Sequence, residues 1–383
     1  MAFRKFTADR VFDGERLLEN TMLVTDDKGL IIGLQPVTEE DDVERFGGIL
    51  SPGFINCHCH IELSHFKGCI PTGTGLVDFL INIVKNRRSF EGDKHTGIAD
   101  ADKEMWEGGI SGVADICNTT DALEVKKRSP IRWHSLVEVI NFYDENLERQ
   151  IGGPQDVAEA HLQEGLPAVL VPHAPYSVSE KTMLEINSRT NGKIISIHNQ
   201  EAAAENDLFI KGTGDFLRMY AEFGNGGSPF PVSGTSSLRT WLPRFTSGQT
   251  ILVVHNTYIH EEDILFAKAH AERFGLQLVY CLCPNANRYI EANLPPVELL
   301  VKHDCSIVLG TDSYSSNWQL SIPAEMRTIC AAFPEVDRAT VLRWATSGAA
   351  RALRWNDMGR FKKGCRPGIV LLNESFDSSK RIL

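Results

Sequence analysis

The chain has 383 residues, of which 42% are hydrophobic and 23% charged, so it can bury a large core and is neither disordered nor collagen-like. Lys plus Arg number 39 against 50 Asp plus Glu, a formal net charge of −11, which argues against a nucleic-acid or anionic-membrane surface as partner and for a small-molecule substrate. The charged start and the lack of a long apolar run predict no signal peptide and no membrane span. The nine cysteines lack the paired spacing of a disulfide framework, and the predicted location is the cytoplasm.

Residues 1 to about 50 carry short apolar runs at 11–12, 22–24 and 30–34 separated by Asp-Gly and Lys-Gly turns, which predicts strands ahead of the main domain. Eight β-rich apolar runs follow, at 50–57, 110–117, 134–140, 168–173, 194–198, 250–255, 277–283 and 305–310. Helical patterns lie between them; 261–274 has a helical apolar period, and 323–332 opens on Pro323. Alternation of this kind predicts a parallel (β/α)8 TIM barrel over 51–359. A last strand near 364–372 joins the first segment, so 1–50 plus 360–383 are expected to form one small β domain.

Barrel enzymes place their chemistry at the C-terminal ends of the strands. In Cys57-His58-Cys59-His60 the period-two pleat puts both imidazoles on one face. Such a pair alone is weak evidence for a metal. A third imidazole, His198, and a carboxylate, Asp312, close two further strands; three nitrogens and one oxygen with room for water suit a single catalytic zinc or ferrous ion.

The ordered set Pro52-Gly53-Phe54-Ile55-Asn56-x-His58-x-His60, His198-x-x-Glu201, Val254-His255-Asn256 and Gly310-Thr311-Asp312-Ser313 resembles the amidohydrolase superfamily. It is similar in particular to the mononuclear aminohydrolase branch: deaminases of adenosine-like compounds, guanine deaminase and the triazine chlorohydrolases. The resemblance implies a distorted barrel with a β-sandwich built from both termini. It implies His58, His60, His198 and Asp312 as ligands of one divalent metal, Glu201 as the acid that carries a proton to the substrate ring, and His255 as the residue that aligns water. Asp312 would also take the proton of the activated water. The fourth strand end has no Lys of the kind that bridges two metals in dinuclear relatives; His173-Ala174-Pro175 stands there instead, which makes His173 a substrate-binding candidate.

A segment from Glu201 through Glu205 to Phe216 is also similar to the adenosine-like deaminases, and Glu62, Arg87, Glu138 and Trp318 are candidates for gripping the rest of the substrate. The expected reaction is hydrolytic release of ammonia from an adenosine-like 6-aminopurine. Leu282 and Ala286 depart from the family's seventh-strand pattern, and guanine or cytosine deamination, cyclic-amide hydrolysis, dechlorination and a non-catalytic scaffold stay open as alternatives, as does a homo-oligomeric state.

Overall fold

The computed structural model describes residues 3–38, 42–86, 93–145 and 147–383. The chain is a mixed α/β fold. The strands are β1 (Phe3–Phe12), β2 (Leu17–Leu18), β3 (Thr21–Asp26), β4 (Ile31–Pro36), β5 (Glu44–Pro52), β6 (Phe54–Cys59), β7 (Ile110–Cys117), β8 (Arg132–Val139), β9 (Ala168–Pro172), β10 (Ile194–Asn199), β11 (Thr250–His255), β12 (Gln277–Leu282), β13 (Ser306–Leu309), β14 (Ile369–Leu372) and β15 (Ser379–Arg381).

β6 to β9 form one four-stranded parallel sheet and β10 to β13 another. Every residue of β6, β7, β10 and β11 is buried, the near-continuous apolar pattern of parallel strands covered on both faces. The two sheets touch at both seams. At one, the His198 amide donates to the carbonyl of His173 over 2.9 Å; at the other, the amides of Thr311 and Asp312 donate to the carbonyl of His58 over 3.0 Å each. Gly310 makes the second seam feasible, because a Cβ there would lie 2.7 Å from the His58 Cβ and 2.9 Å from its backbone nitrogen.

The remaining seven strands make one sheet in the order β15-β14-β5-β1-β3-β4, with β2 on β1, so both ends of the chain meet in it. Its own small core includes Phe6, Val11, Leu23, Ile31, Leu50 and Ile369. The run read from sequence as one strand, 50–57, is divided. Its first residues end β5, and the chain enters β6 after Gly53, where a Cβ would stand 2.0 Å from Ser111 Oγ and 2.5 Å from the Pro367 carbonyl. Apolarity alone does not show which sheet a buried run joins. The helix expected at 261–274 is Glu261–Phe274, and that expected at 323–332 is Ile322–Ala332 with Pro323 in its first turn. No helix among the described residues is long and apolar enough to cross a membrane.

Candidate metal centre and active site

Four side-chain atoms from three strand ends converge. His58, in β6, and His60, one residue past its end, bring their Nε2 atoms to 3.2 Å; His198, near the end of β10, places its Nε2 3.3 Å from that of His60. Asp312 Oδ1, just past β13, lies 3.5 Å from His58 Nε2 and 3.4 Å from His60 Nε2. Tetrahedral coordination with bonds of about 2.0–2.1 Å separates ligand atoms by about 3.3–3.4 Å. The observed spacings therefore fit a divalent cation at the centre.

The surroundings prepare these atoms for that role. His198 Nδ1 sits 2.8 Å from the carbonyl of His173, which accepts a proton there and leaves Nε2 with a free lone pair. Glu138 Oε1, 3.5 Å from the same Nδ1, adds a carboxylate behind the ring. Ser316 Oγ donates to Asp312 Oδ2 over 2.6 Å and turns Oδ1 toward the histidines. Burial, chiefly, holds His58, His60 and His198 below the usual imidazole range, so all three are neutral donors at pH 7. A second group of potential ligands, Glu138, His173 and His198, shares His198 with the first.

Above the cluster opens a cavity of about 580 Å³, within the range of small-molecule sites. Its polar floor holds His60, His173, His198, Glu201, His255 and Asp312, with Asn118 and Glu138 at one side. Glu201 is buried; its Oε2 is 3.5 Å from His255 Nε2, and the other ring nitrogen of His255 faces Asn287 Nδ2 at 3.3 Å. Burial, reinforced by the charges of Asp312, Glu205 and Glu291, pushes the Glu201 carboxyl well above the usual carboxylate range. A carboxyl raised in this way keeps its proton to higher pH than an exposed glutamate does. His173 is fixed by Ser177 Oγ, 2.6 Å from its Nδ1. Gln200, His255, Asn256 and Asp312 all have left-handed backbones, with φ of 47°, 73°, 60° and 58°. Such strain at the strand ends is kept only where surrounding bonds overdetermine it.

The cavity wall is apolar. The helix Leu76–Asn86 presents Leu76, Phe79, Leu80, Ile83 and Val84 to it, an i, i+3, i+4, i+7, i+8 stripe, and Met219, Phe223, Ile140 and Phe142 lie around the same space. The stripe is visible in sequence as a helical period, but only the fold says that it faces a cavity and not the core.

Of the residues expected to grip substrate, His173 and Glu138 line the cavity. Glu62 and Trp318 do not. The Glu62 carboxylate accepts the amide protons of Asn118 and Thr119 over 3.1–3.2 Å, and burial raises its pKa to about 7. Trp318 is 53% exposed and packs on Tyr289 with ring centroids 5.1 Å apart. Arg87 lies outside the described residues.

The profile of the amidohydrolase family matches residues 49–382. The chain belongs to the amidohydrolase family. It is 25% identical over 350 residues to a 5-methylthioadenosine/S-adenosylhomocysteine deaminase of Thermococcus onnurineus, covering 86% of this chain and 75% of that one. It is 24% identical over 319 residues to an aminodeoxyfutalosine deaminase of Nitratiruptor sp., covering 79% and 73%. The crystal structure of Helicobacter pylori aminofutalosine deaminase in complex with methylthio-coformycin superposes with a TM-score of 0.81 at 21% identity, covering 99% of this amidohydrolase and 97% of that chain.

Proposed function

We propose that this amidohydrolase is a metal-dependent hydrolytic deaminase of an adenosine-like 6-aminopurine compound. The observation that carries the reading is the juxtaposition of the four-atom donor cluster with the buried Glu201, its carboxyl pKa raised, at the floor of one cavity. The names of the two relatives support the substrate class. One divalent ion, zinc by its three nitrogens and one oxygen, would be held by His58, His60, His198 and Asp312 and would supply Lewis-acid activation of water.

The chain's own residues then divide the work. Asp312 takes a proton from water as its oxygen bonds to the amino-bearing ring carbon. Glu201 delivers a proton to the neighbouring ring nitrogen, and His255, between Glu201 and the donor cluster, aligns the attacking water. The C–N bond breaks, and ammonia leaves with the proton that Asp312 held. The remaining proton of the water restores Glu201. His173 and Glu138 bind the purine edge at the floor. The wall offered by Leu80, Ile83 and Phe223 favours a substrate whose far end is apolar over one ending in a charge, because an ionic group there would lose its hydration without a partner.

On the scale of the fold, we read the two parallel sheets as one closed, distorted (β/α)8 barrel over 51–359, supported by the bonds at both seams. We read 1–50 plus 360–383 as a small β-sandwich domain, supported by the shared sheet. Nine free cysteines fit the cytoplasm.

The test is ammonia release by zinc-loaded protein from 5′-methylthioadenosine, adenosine, guanine, cytosine and a chlorinated triazine. The reading expects turnover of a 6-aminopurine nucleoside in preference to the others. Ammonia from guanine or cytosine with none from any 6-aminopurine would overturn the substrate class, and no product from any of them would overturn the deaminase.

A further inference from the structure

Seven positions beyond His198 stands Glu205, a glutamate in the first turn of the helix Ala203–Lys211 that is wholly buried and to which the proposed chemistry assigns no part. Among the described residues no Lys or Arg pairs with it. Its carboxylate instead accepts the amide proton of Gln200 over 2.9 Å, the amide proton of Glu201 over 3.3 Å and the hydroxyl proton of Ser237. Burying a carboxylate is costly, and here burial raises its pKa to about 7 despite those three donors. A glutamine or an apolar residue would avoid that cost.

What the carboxylate holds is the turn between β10 and the helix. Gln200 is left-handed there, and its side-chain amide donates to Asn206 Oδ1 at 3.1 Å and to Asp263 Oδ2 at 2.9 Å. Asn199 receives the indole N–H of Trp241 over 2.8 Å, and Asn206 donates to the Tyr258 carbonyl over 3.1 Å, beyond β11 and His255. The side chains of these residues thus fix both strand ends, and among the described residues Glu205 alone accepts from the backbone of Glu201 itself. Two amides sharing one carboxylate fix the peptide planes on either side of the Gln200 Cα, and with them the direction in which the Glu201 side chain leaves the chain.

We propose that Glu205 is a positioning residue for deamination: by accepting the amide protons of Gln200 and Glu201 it holds the left-handed turn that aims the Glu201 carboxyl at the substrate ring. The inference rests on the reading of Glu201 as proton donor. A glutamine at 205 keeps the shape and one acceptor oxygen but presents an N–H₂ to one of the donors, so the turn loses one of its two constraints. A displacement on the order of 1 Å at a reacting group costs about 100-fold in rate.

The test is a double-mutant cycle read in kcat, KM and metal content. Glu205→Gln alone is expected to lower kcat about 10- to 100-fold with KM within about threefold and metal content unchanged. In a Glu201→Gln background the same change is expected to cost less than about twofold, because a residue that acts through Glu201 has nothing left to position. Ser237→Ala, which loosens the Glu205 carboxylate by removing the hydroxyl that anchors the oxygen shared with the Gln200 amide, is the milder companion should Glu205→Gln fold poorly; it is expected to lower kcat several-fold in the native background and not in Glu201→Gln. Native kcat in Glu205→Gln, equal losses in both backgrounds, or loss of metal with the substitution would each overturn the proposal. Failure of the underlying reading shows separately, as native turnover by Glu201→Gln itself.

Discussion

Glu201→Gln is the substitution whose consequences follow most directly from the geometry. The residue is 3% exposed, so an amide of the same shape keeps the packing, and the 3.5 Å approach of its oxygen to His255 Nε2 can be made by the amide oxygen as well. What disappears is the proton. The carboxyl's pKa is raised by burial and by the Asp312, Glu205 and Glu291 charges, which favours the protonated form that the proposed role requires: a donor that delivers its proton as negative charge builds on the ring. General acids contribute about 10²- to 10⁴-fold in rate, about 3–5 kcal/mol of barrier at 1.36 kcal/mol per tenfold. Ammonia release should therefore fall by that factor, with KM changed less than about threefold and metal retained, since the ligands are untouched. The sign of the pH dependence follows as well. A donor works while protonated, so native kcat declines as pH rises through the raised pKa, and the variant lacks that limb. A rate within tenfold of native, with the alkaline limb intact, would mean that another group moves the proton.

His58→Ala should release the metal, measured by elemental analysis after dialysis, because three of four ligands remain and the spacing that fits the ion is broken. Leu80→Asp should raise KM for 5′-methylthioadenosine at least tenfold while leaving metal content unchanged, since it puts a charge into the apolar wall; an unchanged KM would show that the substrate does not reach the helix Leu76–Asn86. Glu325, buried and raised to about 8, binds a proton in the folded state that the unfolded chain releases near 4.5. Folding is then most favoured below about 4.5 and loses that contribution as pH rises to about 8, so Glu325→Gln should flatten the fall in Tm across that window in thermal-melt series.

The parts legible in the sequence are those that a local pattern specifies. His58 and His60 could be assigned to one face because the pleat repeats every two residues, and the parallel strands announce themselves as apolar runs that end in ionisable residues. The division of 50–57 at Gly53 was not legible, since it depends on how near Ser111 and the Pro367 carbonyl come, contacts made far along the chain. That Glu62 lies off the cavity lining was not legible for the same reason. Nothing in its neighbourhood announces that the amides of Asn118 and Thr119 will claim its carboxylate. The apolar wall is the converse case. Its stripe in Leu76–Asn86 was readable as a helix face, yet a stripe that lines a cavity and one that packs a core look alike until the tertiary structure places them.

Anomalous diffraction at the zinc edge, on crystals of zinc-loaded protein, would locate the single catalytic ion proposed between His58, His60, His198 and Asp312. One peak per chain is expected, about 2.0–2.2 Å from the three Nε2 atoms and from Asp312 Oδ1. A peak elsewhere, or a second strong peak beside Glu138 and His173, would contradict it.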